Sequence, residues 1–197
     1  SMQEIVKKCD TVIIPEIGDD KDNIKRVGPI VRQTNQTREQ LREKFSFDKK
    51  TIVISIGGTD AGLFLIEKSL DAISKISQDV DIVLVSGPSV SKNYDNVKNL
   101  GFVDNLHELI FAADVVIALA GKSTIDEANA YGTPSIFIPI KGHFEQEDNA
   151  RGQGFSFEDI KRLDRLILEK LEEKRNQVGT NGARIASDII TKLAFKA

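Results

Sequence analysis

Residues Ile52–Gly62 read Ile-Val-Ile-Ser-Ile-Gly-Gly-Thr-Asp-Ala-Gly, and no other stretch narrows the choice of fold as much. Ile52 to Ile56 are nearly all β-branched, which fits a strand covered on both faces, as in a parallel sheet. The chain then breaks at Gly57-Gly58, offers Thr59 and Asp60 as helix N-caps, and continues with Ile66, Leu70 and Ile73 on one helical face. A strand that turns through glycines into a helix leaves unpaired amides and a positive dipole end facing one way. Such a corner seats a phosphate. It also fits an ordinary strand–helix turn that needs glycine only for its backbone freedom.

The pattern recurs. Asp81 to Val85, Val115 to Leu119 and Ser135 to Pro139 are apolar strands, and Val97 to Val103 is a short, edge-like run. Between them, Asn105 to Ala113 and Ser123 to Tyr131 read as helices. Thr37 to Phe45 precedes the central strand as a helix capped by Thr37. Ile160, Leu163, Ile167 and Leu171 recur at helical spacing, as do Ile185, Ile189 and Leu193. Nearer the start, Thr11 to Ile14 is a short apolar run closed by Pro15, with no neighbour of its own to pair with. An acidic loop from Ile17 to Asn23 follows, and Val27 to Arg32 is extended by its proline and β-branched content. Strands alternating with helices predict an α/β fold: a doubly wound, Rossmann-like parallel sheet with its ligand at the carboxyl ends of the strands. Residues 1–32 are expected to be a linker and the remnant of a preceding domain, and 33–197 a single α/β domain. Ser1-Met2 reads as a cloning remnant, so the chain is expected to be part of a longer protein.

Composition excludes several alternatives. A net charge of −3 gives no reason to expect nucleic acid as a partner. Cys9 is the only cysteine, which rules out an internal disulfide or a zinc cluster and fits a reducing compartment. No apolar run approaches the roughly 18 residues of a membrane span, and no signal peptide is evident.

A second glycine corner, Ala120-Gly-Lys-Ser-Thr124, would open at the same sheet edge as the first. Two helix N-termini facing one crevice suit a diphosphate better than a single phosphate. Lys122, Ser123 and Thr124 would add a charge and hydroxyl donors, although a solvated lysine and a simple serine cap explain them equally well. Gly121-Lys-Ser123 is not a Walker A loop, whose first glycine would fall at Val116, and the first corner lacks the Gly-x-Gly-x-x-Gly dinucleotide spacing. Glu127, one turn into the following helix, is placed either to bind vicinal ribose hydroxyls or to remain at the surface. The run His143-Phe-Glu-Gln-Glu-Asp-Asn149 is dense in hydrogen-bonding groups; it suits sugar hydroxyls, or a solvated loop with a helix cap. Its carboxylates Glu145, Glu147 and Asp148 fit a solvated charge run better than an acid/base pair. His107 is expected on an exposed helix face, and neither histidine has the setting of a catalytic triad.

Taken together, Gly57-Gly-Thr-Asp-Ala-Gly62, Gly101-Phe-Val-Asp-Asn-Leu106, Ala113-Asp-Val-Val-Ile117, Ala120-Gly-Lys-Ser-Thr-Ile-Asp-Glu127 with Gly132-Thr-Pro134, and Gln146-Glu-Asp-Asn-Ala150 resemble one family in order and spacing. It is the C-terminal, nucleotide-sugar donor-binding domain of the family 28 GT-B glycosyltransferases, typified by MurG, and the likeness runs from about Val27 to Ala150. The resemblance implies an inverting transferase that moves a sugar, such as an N-acetylhexosamine, from a UDP-sugar to an acceptor. It implies that Gly58, Thr59 and Asp60 hold the diphosphate, with Arg32 reaching the same phosphates and Gly121, Lys122, Ser123 and Thr124 forming the second phosphate loop. Phe102 and Val103 would border the uracil, Glu127 would take the ribose hydroxyls, and Glu145, Gln146 and Asn149 would lie at the donor sugar. Glu145 stands where the family often carries the first of two glutamines, Thr59 where serine is usual, and Lys122 where a smaller residue is common.

In such enzymes the acceptor-binding domain comes first and holds the general base, so no residue of this chain is assigned a catalytic role. No metal or cofactor is implied. The acceptor would reach the site through a missing N-terminal domain or a partner chain, in a cytoplasmic protein that is membrane-peripheral when full-length. Two other readings remain open: a UDP-sugar hydrolase of the same architecture, and a stand-alone binding subunit that works with a separate acceptor-domain chain.

Overall fold

The Ile- and Val-rich runs are too apolar to face water on either side, and they become the middle of one parallel sheet. The computed structural model describes residues 2–195 apart from 59, 89 and 91. In chain order its elements are α1 (Met2–Lys8), β1 (Val12–Ile14), β2 (Ile24–Arg26), α2 (Arg38–Phe45), β3 (Lys50–Ser55), α3 (Leu63–Ser74), β4 (Val80–Val85) and β5 (Val97–Gly101). They continue with α4 (Leu106–Ala112), β6 (Val115–Leu119), α5 (Lys122–Tyr131), β7 (Ser135–Ile138), α6 (Phe144–Gly152), α7 (Leu163–Glu172) and α8 (Gly182–Ala194). The chain divides into two compact units, Ser1–Arg32 with Gly179–Ala197, and Gln33–Val178. Helix α8, expected from sequence to belong with 33–197, therefore groups with the first unit.

In the first unit the run before Pro15 does have a partner: β1 pairs in parallel with β2, Val12 beside Ile24 and Ile14 beside Arg26. Asn23 ties the turn between them to α1 by donating to the Val6 and Cys9 carbonyls at 2.8 and 2.7 Å. Helix α8 starts against the Gly28-Pro29 backbone, where a Cβ on Gly182 would sit 2.4 Å from the Pro29 oxygen, so only glycine fits.

The second unit carries a five-stranded parallel sheet in the order β5-β4-β3-β6-β7. From β3 the chain steps outward to β4 and β5, then returns to the other side of β3 for β6 and β7. The reversal puts helices on both faces and opens a crevice at the carboxyl ends of β3 and β6. Period-two alternation sorts the core. Ile52, Ile54, Ile117 and Ile136 pack beneath Leu65 and Ile66 of α3 and Leu163 and Ile167 of α7. Val53, Val83, Val116 and Phe137 face the opposite layer, with Leu41 of α2, Leu109 and Ile110 of α4 and Ile125 of α5. Each fully covered Ile or Leu stabilises the fold by roughly 1.5–3 kcal/mol, which explains why these strands read as unbroken apolar runs.

A charged cluster anchors the amino end of β6. Asp114 accepts from the Thr51 amide at 2.8 Å, from Arg38 at 2.7 Å and from Arg42 at 2.8 Å. Arg42 also donates to the Ala112 carbonyl, and Arg175 to the carbonyls of Ala113 and Tyr131. These guanidinium groups therefore sit at the C-terminal ends of α4 and α5, where the helix dipole favours cations. Burial and then the neighbouring Arg38 charge push Arg175 down to about 10, which still leaves it cationic at neutral pH.

Helix α2 is started by a reciprocal cap, as the sequence predicts. The Gln40 amide donates to Thr37 Oγ1 at 3.3 Å, and the Thr37 amide to Gln40 Oε1 at 2.9 Å. Thr37→Ala should lower stability by about 1 kcal/mol in urea unfolding. Among the described residues no helix is long and apolar enough to cross a membrane.

Candidate functional site

Strands β3 and β6 lie side by side with Ser55 next to Ala118, so the two glycine corners that follow them open at one edge. In the first corner Gly57 takes a φ of 75°, a left-handed conformation that a side chain disfavours. At Gly58 a Cβ would meet nothing within 4 Å, so its backbone faces open space. The chain then makes a 3-10 turn, Asp60–Gly62, and α3 begins at Leu63 with Gly62 as its N-cap and no side-chain cap. The expected cap Asp60 therefore does not start this helix, because the tight turn puts it ahead of α3; Thr59, the other expected cap, lies outside the described residues. Gly62 is pressed against the strand end, where a Cβ would come 2.6 Å from Ile56 Cβ. Gly87, just past β4, supports the corner from behind, its Cβ position only 2.3 Å from the Gly58 oxygen.

The second corner is shorter. The Gly121 amide donates to the Leu119 carbonyl at 2.7 Å, and α5 starts at Lys122 without a side-chain cap on Gly121. First-turn amides of a helix have no acceptor within it, so this end presents N–H groups and a positive dipole end. A third wall comes from the β7–α6 connection. Gln146 Oε1 accepts from the Ile140 amide at 3.0 Å, and His143, the N-cap of α6, accepts on Nδ1 from the Gln146 amide at 3.4 Å.

These three walls enclose a cavity of about 320 Å³. Gly57, Gly58 and Ala61 line it from the first corner, Gly121 and Thr124 from the second. Ile140, His143 and Gln146 close the third side, above a floor of strand ends at Ser55, Ile56 and Leu119. A small floor, two glycine walls and polar groups that chiefly offer N–H donors suit an anionic, acceptor-rich ligand.

Of the residues singled out from sequence, Gly58, Gly121, Thr124 and Gln146 are brought together on this cavity. Asp60 and Ser123 are exposed on the turns beside it. Lys122 pairs with Asp126 one turn along its own helix, at 2.5 Å. Glu127 is buried on α5, near Tyr131: burial raises the Tyr131 hydroxyl, and the Glu127 and Glu108 charges push it the same way. At the end of β5, Phe102 is 67% exposed while Val103 packs partly into the core. Glu145 is exposed on the first turn of α6. Asn149 donates to the Ala120 carbonyl at 3.1 Å and so braces the second corner from α6. Arg32 belongs to the first unit.

The acidic run is locally engaged: Glu147 accepts from the Gly142 amide and Asp148 pairs with Arg151. His107, expected on an exposed face, is half-buried. His143 opens the run that the sequence marks as suiting sugar hydroxyls or a helix cap; it is the N-cap of α6 and also lines the cavity.

Comparisons with known proteins bear on the family and the fold. An uncharacterised glycosyltransferase of Methanopyrus kandleri is 26% identical over 191 residues, covering 87% of this chain and 55% of that protein. The UDP-N-acetylglucosamine--N-acetylmuramyl-(pentapeptide) pyrophosphoryl-undecaprenol N-acetylglucosamine transferase of Aquifex aeolicus is 26% identical over 163 residues, 78% of this chain and 46% of that enzyme. The chain thus spans about half the length of these curated relatives. The crystal structure of Acinetobacter baumannii MurG superposes with a TM-score of 0.63 at 16% identity, over 97% of this chain and 62% of that one. That likeness establishes the fold, one half of a GT-B glycosyltransferase. The sequence profile of the glycosyltransferase family 28 C-terminal domain matches residues 51–193, from the central strand through most of α8, and the chain belongs to that family.

Proposed function

We propose that this chain is the donor-binding part of an inverting glycosyltransferase that moves a sugar, an N-acetylhexosamine, from UDP to an acceptor. The observation that carries the reading is the shared cavity: corners on neighbouring strands β3 and β6 both line it. A pyrophosphate between them would meet the amides around Gly58 and the uncapped start of α5, with the Thr124 hydroxyl as a further donor. Strand order then sets the rest. Phe102 and Val103 follow β5 on one side, and Gln146 follows β7 on the other. The donor would lie across the sheet edge, with uracil toward β5, ribose at Glu127, diphosphate over β3 and β6, and sugar toward α6. The name of the Aquifex aeolicus relative, an N-acetylglucosamine transferase using a UDP-sugar, supports this choice of donor.

In the reaction the acceptor oxygen attacks the anomeric carbon opposite the diphosphate, and the bond from that carbon to the phosphate oxygen breaks. The acceptor proton passes to a base outside this chain. The part this chain plays is electrostatic: prearranged amides and helix dipoles stabilise the charge that builds on the departing UDP. The test is calorimetry of this chain with UDP, UDP-N-acetylglucosamine and NAD. Binding of UDP and its sugar conjugate supports the reading, and binding of NAD without UDP overturns it. Glu127→Ala should weaken UDP binding by roughly 1–3 kcal/mol through lost charged hydrogen bonds; unchanged affinity would remove Glu127 from the ribose site.

A further inference from the structure

The cavity wall contributed by α6 has a chemical bias. Each of its two polar side chains accepts from a backbone amide: Gln146 Oε1 from the Ile140 amide and His143 Nδ1, with its single lone pair, from the Gln146 amide. In the neutral imidazole a ring nitrogen that accepts leaves the proton on the other, so His143 carries it on Nε2. In Gln146 the two amide hydrogens remain. Both side chains thus bring donors to the end of the cavity farthest from the β5 side, and the imidazole has no lone pair left to accept, while Gln146 Oε1 keeps its second one. The imidazole is also held in place, because turning it would cost α6 its cap.

We propose that His143 is a sugar-reading residue, its Nε2–H donating to an acceptor oxygen on the transferred sugar. The inference rests on the donor-site reading above, with the diphosphate over β3 and β6. A ring nitrogen that can only donate favours a good acceptor, and on a neutral N-acetylated sugar the acetamido carbonyl is the strongest one. A plain hydroxyl is the weaker acceptor for the same N–H. His143 thus adds a selective contact beside Gln146 and requires no charge on the ring.

Substitution can separate this contact from the capping role. In His143→Asn the side-chain oxygen takes the place of Nδ1 as acceptor for the α6 amide, and asparagine is among the best N-caps. The reach of Nε2–H is lost. Calorimetry of the chain and of this variant, with UDP and with UDP-N-acetylglucosamine, reads the difference, and thermal unfolding checks that the cap is kept. The expected result is an unchanged melting temperature, unchanged UDP affinity and about three- to tenfold weaker binding of UDP-N-acetylglucosamine, the equivalent of one neutral hydrogen bond. Equal UDP-N-acetylglucosamine affinity in variant and parent overturns the role of His143, as does an equal loss for both ligands, which would put the ring at the diphosphate. A parent chain that binds neither ligand overturns the donor-site reading itself, and this inference with it.

Discussion

Gly87→Ala is expected to weaken UDP binding at least tenfold, although residue 87 does not line the cavity. The added methyl would sit 2.3 Å from the Gly58 oxygen and 2.5 Å from its carbonyl carbon. Both are backbone atoms, so no side chain can swing away to make room. Either the loop after β4 retreats or the first corner moves toward the cavity, by about an ångström in either case. A shift of that size in a positioning element can cost on the order of a hundredfold in function. Calorimetry with UDP reads the loss, and urea unfolding separates it from instability. Gly58→Ala, whose methyl would meet no atom within 4 Å, should be milder in stability.

Asp114→Asn should lower stability by about 3 kcal/mol, the lower end of what breaking a buried ion pair costs. Its side chain is 24% exposed, which argues against a larger figure. Asparagine keeps the shape and can still accept from the Thr51 amide, but it leaves Arg38, Arg42 and Arg175 crowded together without a counter-charge. For a domain of this size the melting temperature should fall by roughly 6–12 °C. The effect depends on pH. Burial alone would raise the Asp114 carboxyl, but the Thr51 amide and the Arg42 and Arg38 charges outweigh it and hold the group below its ordinary value. A carboxyl whose folded pKa is depressed stabilises fully above its unfolded value, near pH 4, and loses that contribution as pH falls through the folded one. The gap between parent and variant should therefore be complete at pH 7 and shrink below about pH 4, as read by urea unfolding at both.

Much of the second unit is legible in the sequence because burial on two faces leaves a strong mark. Ile52 to Ile56 and Val115 to Leu119 can hardly be anything but central strands, and the Thr37 cap announces its helix. The strand β2 is not legible, since three residues of mixed polarity carry no period. The site divides in the same way. Gly58 and Gly121 follow from the strand–glycine–helix pattern, which is local. Gly87 and Asn149 act through contacts with chain 29 residues away in each case, on the Gly58 and Ala120 backbones, and their neighbours in sequence do not announce those contacts. Gly87 supports the first corner, and Asn149, expected at the donor sugar, braces the second. The Asp114 cluster draws its arginines from α2 and from the segment after α7, so its charges look like ordinary surface ones until the chain is folded.

Strand β6 is five residues long, with the ionic anchor at its entrance and the Gly121 corner at its exit. The ionic cluster and the proposed donor site therefore occupy opposite rims of the same layer, a strand's length apart. On the donor-site reading, changes in the loops at the carboxyl ends of the strands would leave the Asp114 clasp at the other end untouched.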